Sequence, residues 1–140
     1  MLHLLHPALV HFTVAFLVTG GAVEAWGQIR GSDAAVRWGG SLLIVGLATL
    51  VPTIVAGYLA ANTVELPPGG ATDLDWHELN GWILLALVFA SQFWKAWCGG
   101  RLPDGQRPLY AALLLVVVVS TVYGAWLGGQ MVYVQGIGVR

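Results

Sequence analysis

Four histidines stand out in an otherwise strongly apolar chain. His3, His6 and His11 lie near its start and His77 near its middle. Imidazole is a good ligand for haem iron, zinc and copper, and its neutral nitrogen makes the bond. Histidines on facing helices are also the usual means by which a bundle of helices holds a buried cofactor. Three uses stand open for His6, His11 and His77: a cofactor or metal, helix capping or packing, and proton handling. His3 reads as a capping or loop group.

Those side chains need elements to bring them together, and the composition says where such elements sit. Of 140 residues, 57% are hydrophobic and only 9% charged, against about a quarter charged in a soluble globule. A bilayer is therefore the expected solvent, and the formal net charge of −1 leaves no basic surface for nucleic acid. The single cysteine, Cys98, excludes an internal disulfide and any multi-cysteine cluster. Residues 1–7 carry no Lys or Arg, so no cleavable signal peptide is expected and the first apolar run reads as a retained helix.

A helix needs about 20 apolar residues to cross the hydrocarbon. Spans are expected over residues 7–26, 38–61, 76–97 and 108–134, joined by polar connections with helix breakers, among them Pro67, Pro68, Gly69 and Gly70. The expected fold is all-α, a single antiparallel four-helix bundle in the membrane. Pro7 and Pro108 suit first helical turns, Asp75 with Glu78 reads as a capping box, and Pro52 predicts a kink eased by Thr49 and Thr53. Tryptophans 26, 38, 76, 94, 97 and 126 fall mostly near span ends, where indole favours the headgroup layer. Gly124 and Gly128 form a GxxxG spacing that serves close packing within the chain or a homodimer face.

The connections on one side hold Arg30, Arg37, Lys95, Arg101 and Arg107; the other side has Arg140 beside acidic residues. The positive-inside rule makes the first side cytoplasmic. Both termini then face the periplasm of a bacterial inner membrane, and all four histidines lie on that outer side. His11 sits roughly 6 Å into its helix, at a depth comparable with His77, and packed helices about 8–10 Å apart leave a gap that side chains can close. Gly81, Gly128 and Gly129 offer room for a flat porphyrin. The tail from Gly128, with Tyr133 and Gln135, is expected to fold back over the histidines. Glu24 reads as an interfacial carboxylate or a partner of Arg37. Asn80, Ser91, Gln92, Ser120 and Thr121 read as interhelical hydrogen-bonding groups.

No charge-lined conduction path appears, nor a nucleophile with its base, an HExxH helix or a phosphate-cradling glycine loop. An enzyme is not expected. The two ends, His6-Pro7-Ala8-Leu9-Val10-His11-Phe12 and the run from Gly128 to Val139, resemble the bacterial membrane family catalogued as domain of unknown function 2231. The likeness extends over essentially the whole chain, the four-span layout and His77 included. It implies a periplasm-facing membrane module, in some members joined to Rieske-type or cytochrome c-type domains, and hence a setting in electron transfer. Thr13 stands where such proteins often have proline, and Gln135 where the tail motif usually has histidine. If relatives use four histidines for two haems, one conventional bis-histidine site is the most this chain can hold.

The leading expectation is a small electron-transfer subunit holding a b-type haem near the periplasmic face, with His11 and His77 as the axial pair and His6 as substitute ligand or neighbour. It would pass electrons between a periplasmic redox protein and the quinone layer or a larger membrane redox complex. The alternatives are a cofactor-free structural subunit and a Zn, Cu or Fe site at the same histidines.

Overall fold

The computed structural model describes residues 5–137; His3 and the tail residues Gly138, Val139 and Arg140 lie outside them. The described chain is all-helical, with no strand. Its elements are α1 (Leu5–Arg30), α2 (Asp33–Ala61), α3 (Gly70–Trp97) and α4 (Arg107–Gly129). A short 3-10 turn, Asp104–Gln106, leads into α4, and a π-helical turn, Gln130–Val134, continues it.

The helices outrun the expected spans because the polar residues flanking each apolar run are helical too. The α1–α2 connection is not the stretch that the expected spans leave between residues 26 and 38 but Gly31 and Ser32 alone. Gly31 takes a left-handed φ of 70°, and the Ser32 hydroxyl accepts from the Ala35 amide, capping α2. Asp33 then occupies the first turn, where a carboxylate complements the helix dipole. The expected capping box at Asp75 is not formed. α3 begins at Gly70 behind Gly69, whose φ of 85° admits few other residues, and Asp75 and Glu78 fall inside the helix. Pro108 does sit in the first turn of α4. α2 runs on through Pro52, but the Thr49 and Thr53 hydroxyls donate to the Gly46 and Thr49 carbonyls. Neither takes the Ala48 carbonyl that the missing Pro52 N–H leaves over.

α1, α2 and the stretch Asp104–Val134 are long and apolar enough to cross a membrane. Their outward residues, such as Ile44, Val55, Val116 and Val119, are exposed hydrophobics, as a lipid-facing surface requires. α3 is longer than its expected span, yet carries Asn80, Gln92 and Lys95 along its length.

Each helix packs on two others: α1 on α2 and α4, α3 on α4 and α2. Among the described residues α1 and α3 do not approach within 8 Å between Cα atoms, nor do α2 and α4. Leu17, Leu43, Val88, Leu114, Val117 and Tyr110 fill the centre without exposure. The α1–α2 contact is the most intimate and is made by glycine. A Cβ on Gly20 would lie 2.9 Å from the Leu43 amide, and one on Gly27 2.8 Å from that of Val36.

Candidate functional site

The start of α1, the end of α2, the start of α3 and the end of α4 meet at one end of the molecule. There the rings of His6 and His77 face each other, centroids 6.1 Å apart and planes 85° to one another. Both rings are anchored in the same way. His6 Nδ1 donates to the Thr53 carbonyl at 2.8 Å, and His77 Nδ1 donates to the Gly124 carbonyl at 3.1 Å. A carbonyl only accepts, so in each neutral imidazole Nδ1 carries the hydrogen and Nε2 keeps its lone pair. A hydrogen bond from the distal nitrogen to backbone is the usual support of a metal-ligating histidine.

Glycine makes both anchorages possible. A Cβ at Gly57 would stand 2.8 Å from Cε1 and Nδ1 of His6, and one at Gly128 3.4 Å from Cε1 of His77. Gly124 lies beneath Asn80, whose amide donates to the Ser120 carbonyl and accepts from the Ser120 hydroxyl. The Gly124–Gly128 spacing therefore receives α3 of the same chain. Beneath His6, the Thr13 and Thr53 hydroxyls pair at 2.9 Å and tie α1 to α2.

The expected ligands divide on this geometry. His77 lies where expected, but the residue facing it is His6, not His11. His11 is exposed and its Nδ1 donates to the Pro7 carbonyl of its own helix. The cause is helical phase: five residues turn roughly 140° about the axis, so His6 and His11 cannot share a face. Gly128 borders His77, whereas Gly81 has only an Ile54 methylene at 3.8 Å and Gly129 nothing within 4 Å. Tyr133 is 89% exposed. The Gln135 amide donates to the Asp73 carboxylate, so the described part of the tail closes on the first turn of α3.

Toward the opposite end lies a second polar cluster. Glu24 is wholly buried, and it pairs with Lys95 across the core instead of with Arg37. Lys95 Nζ donates to Glu24 Oε1 at 2.6 Å and the Tyr110 hydroxyl to the same oxygen at 3.4 Å. Oε2 is buried without a partner. Gly39 lets α2 reach the Glu24 backbone, and Gly40 leaves room for the Lys95 ammonium. Reading Lys95 as a connection residue hid this contact. The signal that exposes it is a spacing: Lys95 lies 71 residues beyond Glu24, the same interval that separates His77 from His6.

With each Nδ1 held by a carbonyl, the two imidazoles keep Nε2 lone pairs that could bind a metal. Bonds of about 2 Å from one nitrogen of each ring put ring centres roughly 6 Å apart, the separation found here. Among the described residues no group of three His, Cys, Asp or Glu side chains gathers to hold a metal ion. Two imidazoles are the number of protein ligands a haem iron takes, whereas bare zinc and copper ions take three or four.

The model of one family, described as predicted membrane protein (DUF2231), matches residues 2–140. No curated protein and no solved structure matches the chain.

Proposed function

The chain belongs to that membrane-protein family, DUF2231, over residues 2–140, and we propose that it is a small electron-transfer subunit whose His6 and His77 hold one b-type haem in the bilayer. In this reading the four helices form an antiparallel bundle with α3 as the fourth crossing. Both termini lie on the periplasmic side of a bacterial inner membrane, and the arginine-bearing connections face the cytoplasm. α3 crosses despite its polar residues because Asn80 is bonded to Ser120 and Lys95 to Glu24, each turned inward from lipid.

The observation that carries the reading is the facing pair of imidazoles, 6.1 Å apart, with both Nδ1 atoms held by carbonyls. Haem supplies reversible one-electron chemistry where it is bound. The chain's own part is orientation and exclusion of water. Thr53 and Gly124 fix the tautomer of each ring, Gly57 and Gly128 leave the rings their positions, and the apolar helices keep the surroundings at low dielectric, which sets the potential. A haem needs only the two protein ligands that this pair offers. A redox protein at the periplasmic face and the quinone layer or a larger redox complex are the proposed partners.

Absorption spectra of the detergent-purified protein, oxidised and then reduced, test the proposal. A sharp Soret and alpha band on reduction is expected. Stoichiometric metal without a visible band would replace haem with a bare ion, and absence of both would leave a structural subunit.

A further inference from the structure

The interval of 71 residues runs through the whole fold. It carries His6 onto His77, Thr53 onto Gly124 and Gly57 onto Gly128, so each imidazole finds its carbonyl and its glycine 47 or 51 positions further on; the donor-to-carbonyl spacing is 47 in both cases. Every buried residue of α4, from Tyr110 to Leu127, falls on a buried position of α2, from Gly39 to Ala56. Buried Leu84, Val88 and Ser91 of α3 fall on buried Thr13, Leu17 and Gly20 of α1. Residue identity persists at Trp26 and Trp97, Arg30 and Arg101, and Asp33 and Asp104. The hairpin α1–α2 and the hairpin α3–α4 are one unit used twice.

Two units that pack by equivalent surfaces are related by a twofold axis, and a residue touches its own counterpart only on that axis. His6 with His77 and Glu24 with Lys95 are contacts of this kind. They lie about 27 Å apart along α1 at the helical rise, so the axis runs through the core parallel to the helices. At the first point the two halves present the same side chain. At the second they present opposite charges.

The difference bears on which hairpins can associate. Two copies of α1–α2 packed by this surface would bury Glu24 against Glu24, and two copies of α3–α4 would bury Lys95 against Lys95. Each is a like-charge contact in a medium too apolar to screen it. We propose that Glu24 and Lys95 are the determinant of partner choice: they direct α1–α2 onto α3–α4 and reject the corresponding hairpin of a second copy of this chain. A repulsive element of this kind is how closely similar surfaces are kept from mispairing. The buried, unpartnered Glu24 Oε2 fits a pair kept for specificity at a cost in stability.

Charge exchange in the full chain tests this without reference to any cofactor. Glu24→Lys and Lys95→Glu should each lose most of the monodisperse peak on size exclusion in detergent, because the axis then holds two like charges. The double variant Glu24→Lys/Lys95→Glu should recover at least half of it. Differently tagged Glu24→Lys and Lys95→Glu chains, expressed together, should co-purify well above two tagged copies of the unaltered chain, since their axial charges are complementary. Recovery by either route upholds the proposal and covers the case in which Gly40 and Tyr110 tolerate only one orientation of the pair. Single variants that behave as the unaltered chain, or failure of both recoveries, overturn it.

Discussion

Gly57 and Gly128 occupy equivalent places behind the two imidazoles, yet the same substitution should act on them differently. In Gly57→Ala the new Cβ would stand 2.8 Å from two atoms of the His6 ring, whereas ordinary contact begins at 3.4 Å. The ring must retreat by about 0.6 Å, and because residue 57 and Thr53 lie on the same helix, that retreat draws Nδ1 off its carbonyl. A bond of 2.8 Å stretched to about 3.4 Å is at the edge of hydrogen bonding. Its loss costs about 1 kcal/mol net, rising to about 3 kcal/mol if the N–H is left unsatisfied away from water. Any equilibrium that needs the ring in place then weakens roughly 5- to 150-fold. In Gly128→Ala the nearest His77 atom is 3.4 Å away, so the ring keeps its seat and the helix gains a better former. Haem titration into the detergent-solubilised apoprotein reads the first consequence, and the melting midpoint of the apoprotein reads the second without a cofactor. The reasoning fails if Gly128→Ala proves as damaging as Gly57→Ala in both assays.

Three further substitutions bear on the packing. Gly39→Ala drives a Cβ into the Glu24 backbone and side chain, and rigid helices can only separate; a loss of about 1–3 kcal/mol should appear as a lower melting midpoint, while Gly129→Ala, with nothing within 4 Å, should not lower it. Arg101→Ala removes an ion pair with Asp33 whose side chains are 78% and 59% exposed; solvent screening should hold the change within about 0.5 kcal/mol, and a larger drop in midpoint would mean that the two connections are coupled more tightly than their exposure implies.

The apolar spans were legible because burial in lipid demands long hydrophobic runs, and Pro108 marked the start of α4 correctly. Helix ends were not, since Asp33, Arg37 and Asp73 are too polar to count toward a span and still form helical turns. The histidine site was half legible. Convergence of the α1 and α3 starts follows from short connections, but depth alone was used to choose His11, and depth says nothing about helical phase, which separates it from His6. Lys95 was hidden by its neighbourhood of helix-ending residues, and Gly40, which admits it to the core, has no local signature. Comparison of the chain with itself at an offset of 71 residues would have paired His6 with His77 and Glu24 with Lys95 before any coordinates existed.

Haem content per chain in three alanine variants distinguishes His6 and His77 from His11 as ligands of one haem. His6→Ala and His77→Ala should each lose the reduced alpha band, and His11→Ala should retain it at the level of the unaltered protein. Retention in His6→Ala together with loss in His11→Ala would contradict the account.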